Sequence, residues 1–340
     1  MAPGVIRWAG PTFAMARGLK MTPGVRRTLV ALAALLLIGT SLAQPVARTD
    51  ARTQAPKPTF RTGVDVVRVT AVVQDMRGRP VVGLSRADFE LFEGGEPRPI
   101  VEFRSEPTPI SVAVLVDGSG SMSVAPKRAL ARQAVQHLLS WVEPGQDEVA
   151  LLTFDTGLSV LQPFTTAAPD VARWLPWIDA FGATSLYDAI AGTSREMAER
   201  RRPRQAVVAV TDGVDTSSRL DASAVSRLAS AIDVPVYVLA VAPPEAPGRA
   251  SADATTGGDP AASLEDLARW TGGRLFVVAG PAGASLAARG IVTELRHQYL
   301  IGFEPNARAG WHPLSIRTRQ KDLIVRARSG YVSGAPVGKP

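Results

Sequence analysis

The chain has no cysteine among its 340 residues. It can hold no disulfide, no thiolate metal site and no cysteine-borne lipid, so its fold rests on packing alone. Histidine is nearly as scarce, with His137, His297 and His312 the only three. His137 falls within a predicted helix, His297 near a helix end, and His312 in an expected hairpin turn beside Trp311. None stands beside a strand-end serine or in a spacing such as H-E-x-x-H. Around Ser119 there is neither a G-x-S-x-G elbow nor an S-x-x-K pair, and no G-x-x-x-x-G-K-[ST] phosphate loop occurs. These absences point to a protein that is not an enzyme.

Acidic residues are also missing from one region. Residues 1–43 carry Arg7, Arg17, Lys20, Arg26 and Arg27 and no acid. Without those five, the 38 basic residues fall to 33 against 31 acidic ones, an ordinary balance despite an overall pI of about 10.2. A nucleic-acid partner is therefore not expected. Arg26-Arg27, the apolar run Thr28–Ile38 and Ser41-Leu42-Ala43 have the form of a secretory signal, with Met21 as an alternative start. Thr28–Gln44 is an uncharged stretch of 17 residues, at the short edge of a membrane span, so an uncleaved anchor stays open. The expected location is periplasmic or extracellular, with no membrane insertion of the mature chain unless that segment is retained.

Residues 44–62 are rich in Pro, Arg and Thr and read as a linker. Val64–Val73, Phe89–Phe92 and Ile100–Phe103 then predict short strands of a β module, 63–107, too small to bury a core by itself. From 108 to 297 strands alternate with helices, among them helices at Pro126–Val142, Pro169–Ile178, Ser185–Arg200 and Ala284–His297. Continuous Val/Leu/Ala runs in the strands imply a doubly wound α/β domain with a mostly parallel sheet covered on both faces. Pro243–Ala262 reads as a surface loop. Strands at Gln298–Phe303, Leu314–Arg319 and Leu323–Arg328 follow, and the extension 298–340 is expected to join the 63–107 module in a small β-sandwich-like domain.

The most telling segment is Ile110–Ser123, ISVAVLVDGSGSMS. A buried strand runs straight into Asp117, Ser119 and Ser121, three oxygen groups two residues apart with glycines between them. Oxygen donors alone suit a hard divalent cation such as Mg²⁺. Ligands also bind outside the carboxyl ends of strands in open parallel sheets. Two further segments have the same character: Thr184 stands just ahead of a helix, and Asp212 closes the buried strand segment Gln205–Gly213, its strand expected at Ala206–Val210. Asp155, Asp188 and Asp215 lie close by and are more simply read as turn or cap residues, Asp155 and Asp188 also as outer partners of a metal site. Trp174 and Trp177, three apart on an expected helix, read as core anchors, as does Tyr187.

Asp117, Ser119, Ser121, Thr184 and Asp212, in this order and context, resemble the metal-ion-dependent adhesion site of von Willebrand factor type A (VWA) domains. Phe89–Ile100 before the domain, and Leu295–Phe303 with Arg326–Tyr331 after it, are similar to a bacterial VWFA-related domain family, the likeness covering about Gly63 to Ser333. The resemblance implies Mg²⁺ (or Mn²⁺ or Ca²⁺), with Ser119 and Ser121 as direct hydroxyl ligands and Asp117 and Asp212 acting through water. Thr184 would bind directly or through water. It also implies a protein partner that offers an acidic side chain to the open metal position. The alternatives are a structural envelope module whose metal stiffens the fold and, further off, a metal-dependent hydrolase.

Overall fold

The computed structural model describes residues 66–200, 202, 204–231, 233–242, 260–306 and 308–333. The leader 1–43, the linker 44–62 and residues 243–259 of the expected surface loop lie outside them.

A six-stranded sheet forms the middle of the fold, in the order β10-β9-β8-β5-β6-β7. Its strands are β5 (Ser111–Asp117), β6 (Glu148–Phe154), β7 (Leu158–Thr165), β8 (Gln205–Thr211), β9 (Val236–Val241) and β10 (Leu275–Val278). All neighbours pair in parallel except β6 and β7, so the one antiparallel strand is at an edge. Every residue of β5 and of β8 is buried, as uninterrupted apolar runs require of strands covered on both faces. One face packs against α1 (Ala125–Ser140) and α6 (Pro281–Arg296), with Val112, Val114 and Val116 meeting Val135, Leu138 and Ile291. The other packs against α3 (Leu186–Arg200), α4 (Ala222–Ala231) and α5 (Pro260–Thr271), with Ala113 and Leu115 meeting Ile190, Val225 and Leu267. This is the doubly wound sheet expected from the strand composition. The chain leaves β5 for β6 on one side and returns to β8 on the other. The loops after β5 and β8 therefore part at a topological switch point, where such sheets place their ligands.

The flanks build two antiparallel four-stranded sheets, ordered β13-β1-β11-β4 and β14-β12-β2-β3. They comprise β1 (Val67–Asp75), β2 (Phe89–Glu93), β3 (Glu96–Arg98), β4 (Ile100–Arg104), β11 (Tyr299–Phe303), β12 (Gly310–Thr318), β13 (Leu323–Ala327) and β14 (Gly330–Ser333). Each sheet mixes strands from before and after the α/β unit: β1 pairs with β11 and β13, and β2 with β12. Val69, Ala71, Tyr299 and Ile301 of one sheet share a core with Phe89, Leu91, Ile316 and Tyr331 of the other.

Several local expectations change. The helix expected at Pro169–Ile178 is two pieces: α2 (Ala168–Ala172) and a 3₁₀ turn at Leu175–Trp177. Pro176 cannot donate to a continuing helix and disfavours helical backbone in the residue before it. With the helix broken, Trp174 still packs partly on the core and donates its indole N–H to Gln162, but Trp177 is 61 % exposed and is no core anchor. The expected loop at Pro243–Ala262 ends earlier, because α5 already begins at Pro260. His312 is not in a turn but within β12, buried and 2.9 Å from Glu93.

Glu93, which is 3 % exposed, organises the polar centre of the sandwich. Burial pushes its carboxyl up, but the Tyr331 hydroxyl, the Asn306 backbone N–H and the Arg98 guanidinium outweigh burial and hold it below its ordinary value. A carboxylate with a lowered folded-state pKa stabilises the fold above its unfolded-state pKa, and that contribution is lost as pH falls through the folded-state value. Glu93→Gln should lower the melting temperature near neutral pH by several degrees. Its deficit against wild type should shrink as pH is taken from about 5 to about 2. Melting curves across that series check this, and a deficit that does not change with pH would refute the assignment.

Candidate metal centre

Asp117 is the last residue of β5 and is only 2 % exposed. A carboxylate there needs partners, and the loop supplies them. The Ser119 backbone N–H donates to Asp117 Oδ1 at 2.8 Å, and the Thr211 hydroxyl of β8 donates to Oδ2 at 2.6 Å. Burial raises the Asp117 carboxyl above its ordinary value. Hydrogen bonds from Ser119 and Thr211 oppose that, and the nearby charge of Asp212 adds to it. Two acids therefore face each other's fields in a poorly solvated place.

Backbone contacts fix the loop. Gly118 N–H donates to Phe154 O of β6, Gly120 N–H to Gly182 O, and Phe181 N–H to Gly118 O. Gly118 leaves no room for a side chain, since a Cβ would lie 2.9 Å from the Thr153 hydroxyl and 3.1 Å from Asp179 O. Gly182 turns the chain with a φ of +87°, a conformation glycine adopts at no steric cost. Ser119 is buried and its hydroxyl lies 3.0 Å from that of Ser121, which is exposed. The Asp-x-Ser-x-Ser loop thus presents one buried and one solvent-facing hydroxyl.

The remaining two candidates arrive on neighbouring loops. Thr184 is 3 % exposed, and its backbone is pinned by the loop after β8: its N–H donates to the Thr216 hydroxyl and its carbonyl accepts from Thr216 and Ser217. Asp212 follows β8 directly. Its Oδ2 lies 2.8 Å from Lys127 Nζ of α1, and its Oδ1 is buried with no hydrogen-bond partner. The structure thus sets all five candidates on three loops, those after β5, ahead of α3 and after β8. Hydrogen bonds join the loop ahead of α3 to each of the other two, and the charge of Asp212 reaches Asp117. Among the described residues no hydrogen bond joins Ser121 to Thr184 or Thr184 to Asp212.

The other acids have hydrogen-bond partners in the loops themselves. Asp155 accepts from the Gly157 N–H and the Thr156 hydroxyl in its own turn. Asp188, in the first turn of α3, accepts from the N–H groups of Arg219 and Leu220, while Asp215 accepts from Tyr187 N–H and Ser218. These reciprocal caps tie the loop after β8 to the start of α3. Tyr187 packs partly against the core on that side of the sheet.

Two participants escaped sequence reasoning. Thr211 looks like the end of an apolar strand, although a hydroxyl at a wholly buried strand terminus was a usable sign. Lys127 sits in the first turn of α1, where a cation opposes the helix dipole and needs a local reason. The loops that carry the site also expose apolar side chains: Phe181 is 80 % exposed, and Val124 and Val214 are exposed as well.

The donor set suits a hard cation. Two carboxylates and three hydroxyls are all-oxygen donors, and the orphaned Asp212 Oδ1 is a buried acceptor still lacking a positive partner. Among the described residues no group of three or more His, Asp or Glu could hold a metal.

Residues 112–214 match the family profile of the von Willebrand factor type A domain. No curated protein matches the chain. Among solved structures, BatB from Bacteroides thetaiotaomicron is similar at 18 % identity and a TM-score of 0.43, over 54 % of this chain and 98 % of that one. A von Willebrand factor type A protein from Catenulispora acidiphila is similar at 11 % identity and 0.46, over 80 % and 75 %. The manganese-loaded TRAP protein of Plasmodium vivax is similar at 13 % identity and 0.40, over 71 % and 98 %. The matched residues 112–214 span both the Asp-x-Ser-x-Ser loop and Asp212, so this segment of the chain is similar to the von Willebrand factor type A domain.

Proposed function

We propose that the protein is an exported, non-enzymatic interaction protein. In this reading it binds a divalent cation, Mg²⁺ or Mn²⁺, through Asp117, Ser119, Ser121, Thr184 and Asp212, and the cation engages an acidic group of a protein partner. The observation that carries it is the pairing of the buried Asp117 carboxylate and that of Asp212, whose side chain is 4 % exposed, with a loop of hydroxyls at the switch point of the sheet, one Asp212 oxygen being orphaned. Few direct carboxylate ligands would leave the cation electron-poor and receptive to an anion. The exposed Ser121 marks the solvent side from which a partner would approach. Phe181, Val124 and Val214 would give it apolar contact around that charge, the usual division between a specifying polar centre and a desolvating surround.

Export rests on the leader-like 1–43. Among the described residues no helix is long and apolar enough to cross a membrane.

Calorimetric titration of the chain with Mg²⁺, Mn²⁺ and Ca²⁺, beside Asp117→Ala, tests the site. Saturable binding lost in the variant is the expected result. No heat from wild type at millimolar metal, with the fold intact, would overturn the reading. Thr211→Val keeps the strand shape but removes a donor from a buried carboxylate, and should cost about 1–3 kcal/mol of stability in chelator, read from urea unfolding. Once a partner is in hand, Phe181→Ala should weaken its binding with metal affinity unchanged.

A further inference from the structure

Resting on the metal reading above, we infer that Lys127 is a built-in counter-ion that stands in for the divalent cation at Asp212, so that metal binding is an exchange in which the ammonium leaves that carboxylate. Four observations carry this. Lys127 Nζ lies 2.8 Å from Asp212 Oδ2, and the two side chains are 20 % and 4 % exposed, so the pair is shielded from water but Lys127 keeps a path to it. Lys127 stands in the first turn of α1, which holds no acidic residue, so its charge opposes the helix dipole and the carboxylate is what retains it there. The ammonium touches one oxygen only, leaving Oδ1 of the same carboxylate buried and unpartnered. And Asp212 still acts on Asp117 as a like charge, so a single ammonium leaves the two-carboxylate cluster short of positive charge.

A divalent ion can compensate both carboxylates where the ammonium compensates one. The lysine stem is flexible, and its strongly hydrated head is stable in water once displaced. Without metal the ion pair keeps the rim of the sheet folded, since removing one partner of a buried pair leaves an uncompensated charge. With metal the same pair is a competitor, because the ammonium on Oδ2 repels a cation approaching Oδ1 and already neutralises the charge that the cation would share. Lys127 thus raises the cation concentration at which the site fills and makes the metal-free protein stable enough to wait for it.

The test is calorimetric titration of the full chain with Mg²⁺ and with Mn²⁺, for wild type, Lys127→Gln and Lys127→Arg, together with melting curves in chelator and in metal. Lys127→Gln should bind metal at least about tenfold more tightly, melt at a lower temperature in chelator, and gain more from Mg²⁺ than wild type does. Lys127→Arg, which keeps the charge, should stay close to wild type. Equal or weaker binding by Lys127→Gln, with wild type binding normally, overturns the exchange while leaving the metal site standing. Absence of binding in all three overturns the metal reading and this inference with it. Acylation of wild type, read by mass spectrometry with exposed Lys321 as internal reference, keeps the question open to refutation should Lys127→Gln fail to fold. Mg²⁺ should increase the reactivity of Lys127 relative to Lys321, and an unchanged ratio overturns the exchange.

Discussion

The structure is organised by a charge placed where a charge is costly, the Asp117 carboxylate at the end of a strand buried along its whole length. β5 is central to the sheet and covered by helices on both faces, so its C-terminal residue cannot turn to bulk water without leaving the ladder. The loop therefore bends back to donate to the carboxylate, β8 ends in a threonine that does the same, and the glycines permit the close approach that the bend requires. Asp212 then enters the same field as a second negative group. Its partial neutralisation by Lys127 follows from the same constraint. Each of these features would be a local oddity alone, and together they are the response to one buried acid beside another.

A second set of buried polar groups joins the α/β unit to the sandwich, and it lies at the opposite end of the sheet from the site. Arg204, just before β8, donates to the carbonyls of Leu295 and Arg296 at the end of α6, and to those of Glu106 and Gln298, where the chain passes between the two parts. Glu294 of α6, 2 % exposed, accepts from Gln74 of β1 and Arg326 of β13. A buried ion pair adds little net stability compared with apolar packing, and here Glu294 links α6 to β1 and β13. β11 begins within three residues of the end of α6 and is an inner strand of its sheet. The sandwich is thus held by the helix that packs beside α1, and α1 carries Lys127. The helix layer of α1 and α6 touches both the site and the flanking sheets.

How much of this was legible in the sequence follows from where side-chain identity decides and where geometry does. The fully buried strands announced themselves, because a strand covered on both faces must be apolar at every position, and β5 and β8 read so. The Asp-x-Ser-x-Ser loop alone could be a capped turn, and it stood out only together with Thr184 and Asp212 at a helix start and a strand end. Thr184 and Asp212 followed from their positions at a helix start and a strand end. Lys127 did not, because one lysine among many on a predicted helix surface gives no sign of which carboxylate it meets 85 residues later. The helix broken at Pro176 was misread because its apolar spacing was weighed above the backbone rule. β3 and β14, of three and four residues, were missed because their pairing partners, not their own composition, make them strands. His312 looked like a turn residue beside Trp311, and only the Glu93 opposite it in the folded sandwich gives it a buried place.

The same reasoning gives the site a direction. Asp117, Ser119 and Thr184 are buried, Asp212 is nearly so, and Ser121 is exposed, so the donors open to one side only. The loops that carry the donors also expose Phe181, Val124 and Val214 beside polar and charged residues such as Asp179 and Arg219. On the metal reading, a ligand that satisfied the cation with a carboxylate alone would leave those apolar groups wet, and one that covered them without an acid would leave the cation's open position to water. The better complement is a single acid set among apolar neighbours. That is a demand met by the folded surface or the ordered segment of another protein, and poorly met by a small anion or a uniformly acidic polymer.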